Sequence, residues 1–150
     1  MGTKRKSSFA RRHALSLTAG SILILWIVLY GRSDPQTHVG SFFGNAIADW
    51  LGLVVMVLAT KHLYEKGSAE SKQLPKTPLR PLWAALRNHS LTIFLVVTGI
   101  GWVILFGKLD ANSKWGQVAG NIVSEWTQIL GLVLLTKKLI ETHSKESRRG

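Results

Sequence analysis

The chain alternates long apolar blocks with short charged ones, and no stretch alternates at strand period. No charged residue falls between Ala14 and Gly31, a run of 18, or between Asn88 and Gly107, a run of 20. A helix rises about 1.5 Å per residue and the hydrocarbon layer is about 30 Å thick, so each block is long enough to span. Loops with turn chemistry follow, Gly31-Arg32-Ser33-Asp34-Pro35 and Gly107-Lys108-Leu109-Asp110-Ala111-Asn112. Beyond each loop a second apolar stretch begins. The pattern predicts first helices over about 14–31 and 89–107, and second helices over about 41–64 and 117–141.

Displaced by 76 positions, residues 13–72 overlie 89–148 without a gap, and twenty of the 60 pairs are identical. The matches include His13/His89, Trp26/Trp102, Asp34/Asp110, Asn45/Asn121, Trp50/Trp126, Lys61/Lys137, Glu65/Glu141, Ser68/Ser144 and Glu70/Glu146. Shared apolar composition does not produce matched Gly, Asn, Trp and acidic residues, so the chain reads as a tandem repeat. Each copy crosses twice and keeps one orientation, which predicts a pseudo-two-fold axis along the membrane normal. The expected fold is an all-α membrane protein, with four transmembrane helices from two tandem parallel two-helix repeats. Its parts are a basic N-terminus (1–12), repeat 1 (13–72), a Pro-containing linker (73–88) and repeat 2 (89–148). Pro75, Pro78 and Pro81 predict an extended course over Gly67–Leu82. Residues 81–87 read as a short surface helix with Trp83 at headgroup level.

Charge then orients the chain. The net charge is +11, and 16 of the 19 Lys and Arg residues flank the N-terminal block, fill the central segment or close the chain. Only Arg32, Lys108 and Lys114 lie in the other two loops. The positive-inside rule places both termini and the linker in the cytoplasm. These basic residues flank spans without any nucleic-acid reading motif, so their expected partners are the bilayer and anionic lipid headgroups, not nucleic acid. The chain has no cysteine, which rules out disulfides and thiolate metal sites. The first apolar block ends without a small-x-small cleavage site and has a near copy at mid-chain, so it reads as a retained anchor.

One pattern carries candidate chemistry. Each second helix opens with Gly-x-x-x-Gly-Asn-x-x-x-acid-Trp: Gly40, Gly44, Asn45, Asp49, Trp50, and Gly116, Gly120, Asn121, Glu125, Trp126. Residues four apart share a helix face. Gly40, Gly44, Gly116 and Gly120 thus form small-residue ridges, expected to pack the two second helices together. Asn45 with Asp49, and Asn121 with Glu125, form a polar ridge beside them. Acids below the membrane interface face the interior of a bundle, where they form a candidate cation or proton site. The competing reading makes Asn45 and Asn121 helix N-caps, with the acids in the first turn and Trp50 and Trp126 as interfacial anchors. The other matched residues have simpler assignments: His13 and His89 as interface anchors, Asp34 and Asp110 as turn residues. Lys61/Glu65 and Lys137/Glu141 read as i,i+4 pairs at solvated helix ends.

Ser124-Glu125-Trp126-Thr127-Gln128 opens one span, and Lys66-Gly67-Ser68-Ala69-Glu70-Ser71-Lys72 closes another. Together with His89-Ser90-Leu91 and His13-Ala14-Leu15, these resemble a group of small uncharacterised bacterial integral membrane proteins. In that group Ser-Glu-aromatic-x-Gln starts the second helix and Lys-Gly-Ser-x-Glu-Ser-Lys ends it. Repeat 1 departs from the pattern at Ala48-Asp49-Trp50-Leu51-Gly52. The resemblance implies a bacterial inner membrane and adds no mechanism. No hydrolase, phosphate-loop or zinc signature occurs, so no catalytic residue, metal or cofactor is expected. The expected role is that of a non-enzymatic scaffold or accessory subunit, with a homo-oligomer or a second membrane protein as partner. The alternative is a small cation or proton channel or transporter using the paired Asn and acid residues.

Overall fold

A computed structural model describes residues 9–76 and 78–139, with the backbone alone at Ala10. Among these residues the fold is all-helical. The segments are α1 (Phe9–Arg12), α2 (Ala14–Arg32), α3 (His38–His62), α4 (Pro81–Asn88), α5 (Ser90–Lys108) and α6 (Lys114–Leu135). Helices α2, α3, α5 and α6 are each long and apolar enough to cross a membrane. Helix α3 packs on α2, α6 packs on α5, and α3 and α6 meet in the middle. Most of the large apolar side chains of α2 and α5 remain exposed, as they must if lipid is their solvent.

The first helices lie within one residue of their expected bounds, but the second helices start three residues early. Thr37 and Ser113 cap them, each side chain accepting from the backbone N–H three residues on, at Gly40 and Gly116, both at 3.0 Å. Each hydroxyl also donates to the carbonyl three residues back, at Asp34 and Asp110. The Asp34 and Asp110 carboxylates accept from the N–H groups of Gln36 and Asn112, both at 2.9 Å. A three-residue shift in start therefore follows from a Thr/Ser cap, which satisfies an otherwise orphaned helix donor. At the other end α6 gives way to a turn after Leu135, short of the expected 141, and residues 140–150 lie outside the described region.

The Gly ridges do not join α3 to α6. Gly44 faces the Tyr30 ring and Gly120 faces the Phe106 ring, so each second helix is fitted to its own first helix. A Cβ on Gly40 or Gly116 would overlap the carbonyl oxygen of Asp34 or Asp110. Those two glycines let the turn fold back against the helix start. The cross-connection at this loop end comes instead from Tyr30, whose hydroxyl donates to the Lys114 carbonyl at 2.6 Å. Lys114 Nζ donates to the Ser33 carbonyl at 2.6 Å and the Gly31 carbonyl at 3.2 Å, which satisfies carbonyls at the C-terminus of α2.

Gly40→Ala and Gly116→Ala should each destabilise the protein by about 1–3 kcal/mol, the usual range for overpacking. Gly107→Ala and Gly131→Ala, where a Cβ meets nothing within 4 Å, should leave stability unchanged or raise it. Thermal melts of the four variants in detergent make the comparison. Equal melting temperatures across all four would refute this account of the turns.

Candidate functional site

Asp49 stands eleven residues past His38, and Glu125 eleven past Lys114. About 16 Å of helix therefore precedes each acid, at about 1.5 Å per residue. Thirteen residues of α3 follow Asp49 and ten of α6 follow Glu125. The acids thus sit in the middle of their helices, and the first-turn reading of them is overturned because the caps are Thr37 and Ser113. Trp126 is likewise no interfacial anchor: it is buried, and its Nε1 donates to Thr98 Oγ1 at 2.9 Å. Trp50 stands at the same register in α3, half-buried. Trp83 is exposed on α4 beside Leu82 and Leu86.

The Asn and acid residues come together where α3 meets α6. Asn121 Nδ2 donates to Asn45 Oδ1 at 2.6 Å, so two residues 76 positions apart bond to each other. One turn on, towards the basic end, a cavity of about 230 Å³ opens between the helices. Its walls are residues in the same relation: Asp49 and Glu125, Gly52 and Gln128, Leu53 and Ile129, Met56 and Leu132. Glu70, from the segment after α3, completes the lining. Its counterpart Glu146 lies outside the described residues.

The two acids are not equivalent. The Glu125 side chain lies on Gly52, where a Cβ would stand 2.7 Å from its Oε1 and 2.8 Å from its Cγ. Only glycine leaves that seat open. At the matching place in α6 stands Gln128, and the acid on that side is the shorter and exposed Asp49. Among the described residues no group of three or more His, Asp or Glu is placed to hold a metal ion. Two carboxylates with amides one turn away suit a proton or a weakly held monovalent cation.

A second polar centre lies at the basic end, where the expected i,i+4 pair of Lys61 and Glu65 does not form. Helix α3 stops at His62, and the chain turns inward to place Glu65 at 1% exposure among the other helices. Glu65 Oε1 lies 2.5 Å from Lys137 Nζ and 2.7 Å from His89 Nδ1. Its Oε2 accepts from the Thr92 backbone N–H at 3.1 Å, which caps the first turn of α5 from another part of the chain. Ser68 is fully buried beside it and meets Thr136 Oγ1 at 3.0 Å. Backbone bonds from Leu91 to Tyr64 and from Lys66 to Asn88 hold the segment in place. Lys61 instead meets His13, Nζ to Nδ1, at 2.9 Å. Sequence reasoning matched Glu65, His89, Lys137 and Ser68 across the repeat. It read Glu65 with Lys61 as a pair at a solvated helix end and His89 as an interface anchor, because hydrophobic periodicity does not register a loop that folds inward.

Burial pushes the Glu65 carboxyl upwards, but bonds from Lys137, Thr92 and His89 outweigh it and hold the group below its ordinary value of 4.5. Comparison with protein-family models, curated proteins and solved structures gave no match to this chain. The functional reading therefore rests on the geometry.

A carboxyl whose pKa is lower folded than unfolded adds stability above the unfolded pKa, and loses it as pH falls through the folded one. The wild-type melting temperature should accordingly drop as pH falls below about 4.5. Glu65→Gln should lower stability near neutral pH by about 1–3 kcal/mol, the range for hydrogen-bonded groups left without their partner, since Lys137 and His89 keep some contact with solvent. It should also flatten the acid-side slope. Superimposable pH–melting curves for the two proteins would show that Glu65 does not carry that dependence.

Proposed function

We propose that the chain is a small multi-pass membrane protein that passes a proton or a monovalent cation along the α3–α6 junction. The observation that carries this reading is the cavity lined by residues 76 positions apart, with two mid-helix acids at its head and Glu70 towards its basic end. Residues in equivalent positions of two parallel repeats face one another along the axis relating the copies. A cavity with that lining stands where an axial pathway between the repeats would run. The positive-inside rule sets the basic end in the cytoplasm, so the cavity is the inward-facing half of the route.

The chemistry fits the geometry. A carboxylate in the middle of a membrane costs on the order of 3 kcal/mol to insert, so its environment must compensate it by protonation, a bound cation or water. Among the described residues no Lys or Arg lines the cavity with Asp49 and Glu125. The Asn45–Asn121 bond stands one turn nearer the outer face and closes the route there. Opening to the outside then requires that single amide contact to part. The contact also favours a second reading, in which the bond locks α3 to α6 permanently and the protein is a scaffold or accessory subunit.

Two measurements test the proposal. Purified protein in liposomes should carry protons, sodium or potassium down an imposed gradient, and Asp49→Asn with Glu125→Gln should abolish the flux while the protein stays folded. Asn45→Ala should raise the flux by opening the outer half. No flux above empty liposomes for any of the three ions, in wild type and Asn45→Ala alike, would leave the scaffold reading. Orientation is tested apart from transport in this cysteine-free chain. Cysteine at Gln36 or Ala111 should react with an impermeant thiol reagent on intact cells, and cysteine at Lys76 only after lysis. Labelling at position 76 from outside would reverse the assignment of the two faces.

A further inference from the structure

The Glu65 cluster has a counterpart pair at the same end of the bundle. His89 and Lys137 hold the Glu65 carboxylate, and 76 positions away stand His13 and Lys61. Lys61 Nζ and His13 Nδ1 lie 2.9 Å apart, so the second pair also converges on one point. The two histidines share a backbone conformation, with φ −120 and ψ 15 at His13, and φ −122 and ψ 17 at His89. Each forms the break between a short helix and a first membrane helix. Among the described residues no carboxylate bonds to His13 or Lys61.

The carboxylate matching Glu65 is Glu141, outside the described residues. It opens Glu-Thr-His-Ser-Lys-Glu-Ser-Arg over 141–148, against Glu-Lys-Gly-Ser-Ala-Glu-Ser-Lys over 65–72. We propose that His13 and Lys61 form the docking site for this C-terminal segment, with the Glu141 carboxylate bonded between them as Glu65 is between His89 and Lys137. Each repeat would then lend its acid to the His and Lys of the other repeat, a reciprocal exchange that a two-fold relation requires. The segment is tethered to the described chain, since Leu139 is described and one residue separates it from Glu141. Tethering gives an internal carboxylate a large advantage in effective concentration over a free anion. The same docking would carry Glu146 to the place across the two-fold axis from Glu70, which would add a fourth carboxylate to the pathway proposed above.

The absence of cysteine makes the test direct. Glu141→Cys with Lys61→Cys should be joined within one chain by a short bismaleimide, as should the control pair Glu65→Cys with Lys137→Cys. Failure of the first pair while the control links would overturn the proposal, as would a link between two chains. Anionic phospholipid that raises the melting temperature of wild type and Glu141→Gln alike, but not of Lys61→Gln, would instead assign His13 and Lys61 to a headgroup phosphate and overturn the docking. A charge exchange provides a second measurement if cysteine disturbs the fold. Glu141→Lys should lower the melting temperature, and adding Lys61→Glu should restore it; no recovery counts against the pairing. Neither experiment depends on flux, so the docking stands or falls separately from the transport activity.

Discussion

A buried carboxylate, Glu65, holds the basic end of this bundle together. Its two oxygens collect a lysine from just past α6, a histidine at the entry to α5 and a backbone N–H from the first turn of α5. Its own backbone continues from the end of α3, so three of the four long helices are fixed by one side chain. A buried charge with one partner removed is far more costly than a surface pair, which makes this centre an all-or-none arrangement. The segment from 63 to 72 is therefore a structural insert, and Glu70 is set at the cavity by it, with the Glu70 N–H bonded to buried Ser68.

The middle of the membrane imposes a second constraint. Polar groups there must find partners within the protein, because lipid offers none. Asn45 and Asn121 meet that demand with each other and Trp126 with Thr98, while the Glu125 side chain lies over Gly52 beside the cavity. The loop end is handled differently: Thr37 and Ser113 cap the second helices, and Tyr30 and Lys114 bind α2 to α6. Between these ends the large side chains exposed on α2 and α5 are apolar ones of the kind lipid accepts, while Asp49, Ser124, Thr127 and Gln128 are exposed polar positions on α3 and α6.

Much of this was legible in the sequence. Four spans, their approximate limits and the short helix at Pro81 follow from apolar block length and Pro placement. The candidate residues Asn45, Asp49, Asn121 and Glu125 were legible from the 76-residue offset, which matched polar positions that composition alone would not align. What sequence reasoning missed has physical causes. Helix starts at Thr37 and Ser113 were passed over because a hydroxyl cap is a single residue with no periodicity. The small-residue ridges were assigned to the wrong neighbour because spacing shows which face is narrow but not what lies against it; Tyr30 and Phe106, a matched aromatic pair, were the available clue. Glu65 looked solvated because it lies three residues beyond the apolar run, and only the coincidence of matched Glu, His and Lys hinted at a shared centre.

The pairing of Gly52 with Gln128 limits how such a molecule can be assembled. Were the bundle made from two identical two-helix chains, one residue type would have to serve in both places. Glycine at both would give two seated acids, and glutamine at both would give none. Joining the halves in one polypeptide lets the positions diverge, so that one carboxylate is seated over a glycine and half-buried while the other is exposed across the same narrow space. That inequality gives the α3–α6 seam two distinct faces, which no symmetric homodimer of half-length chains can possess.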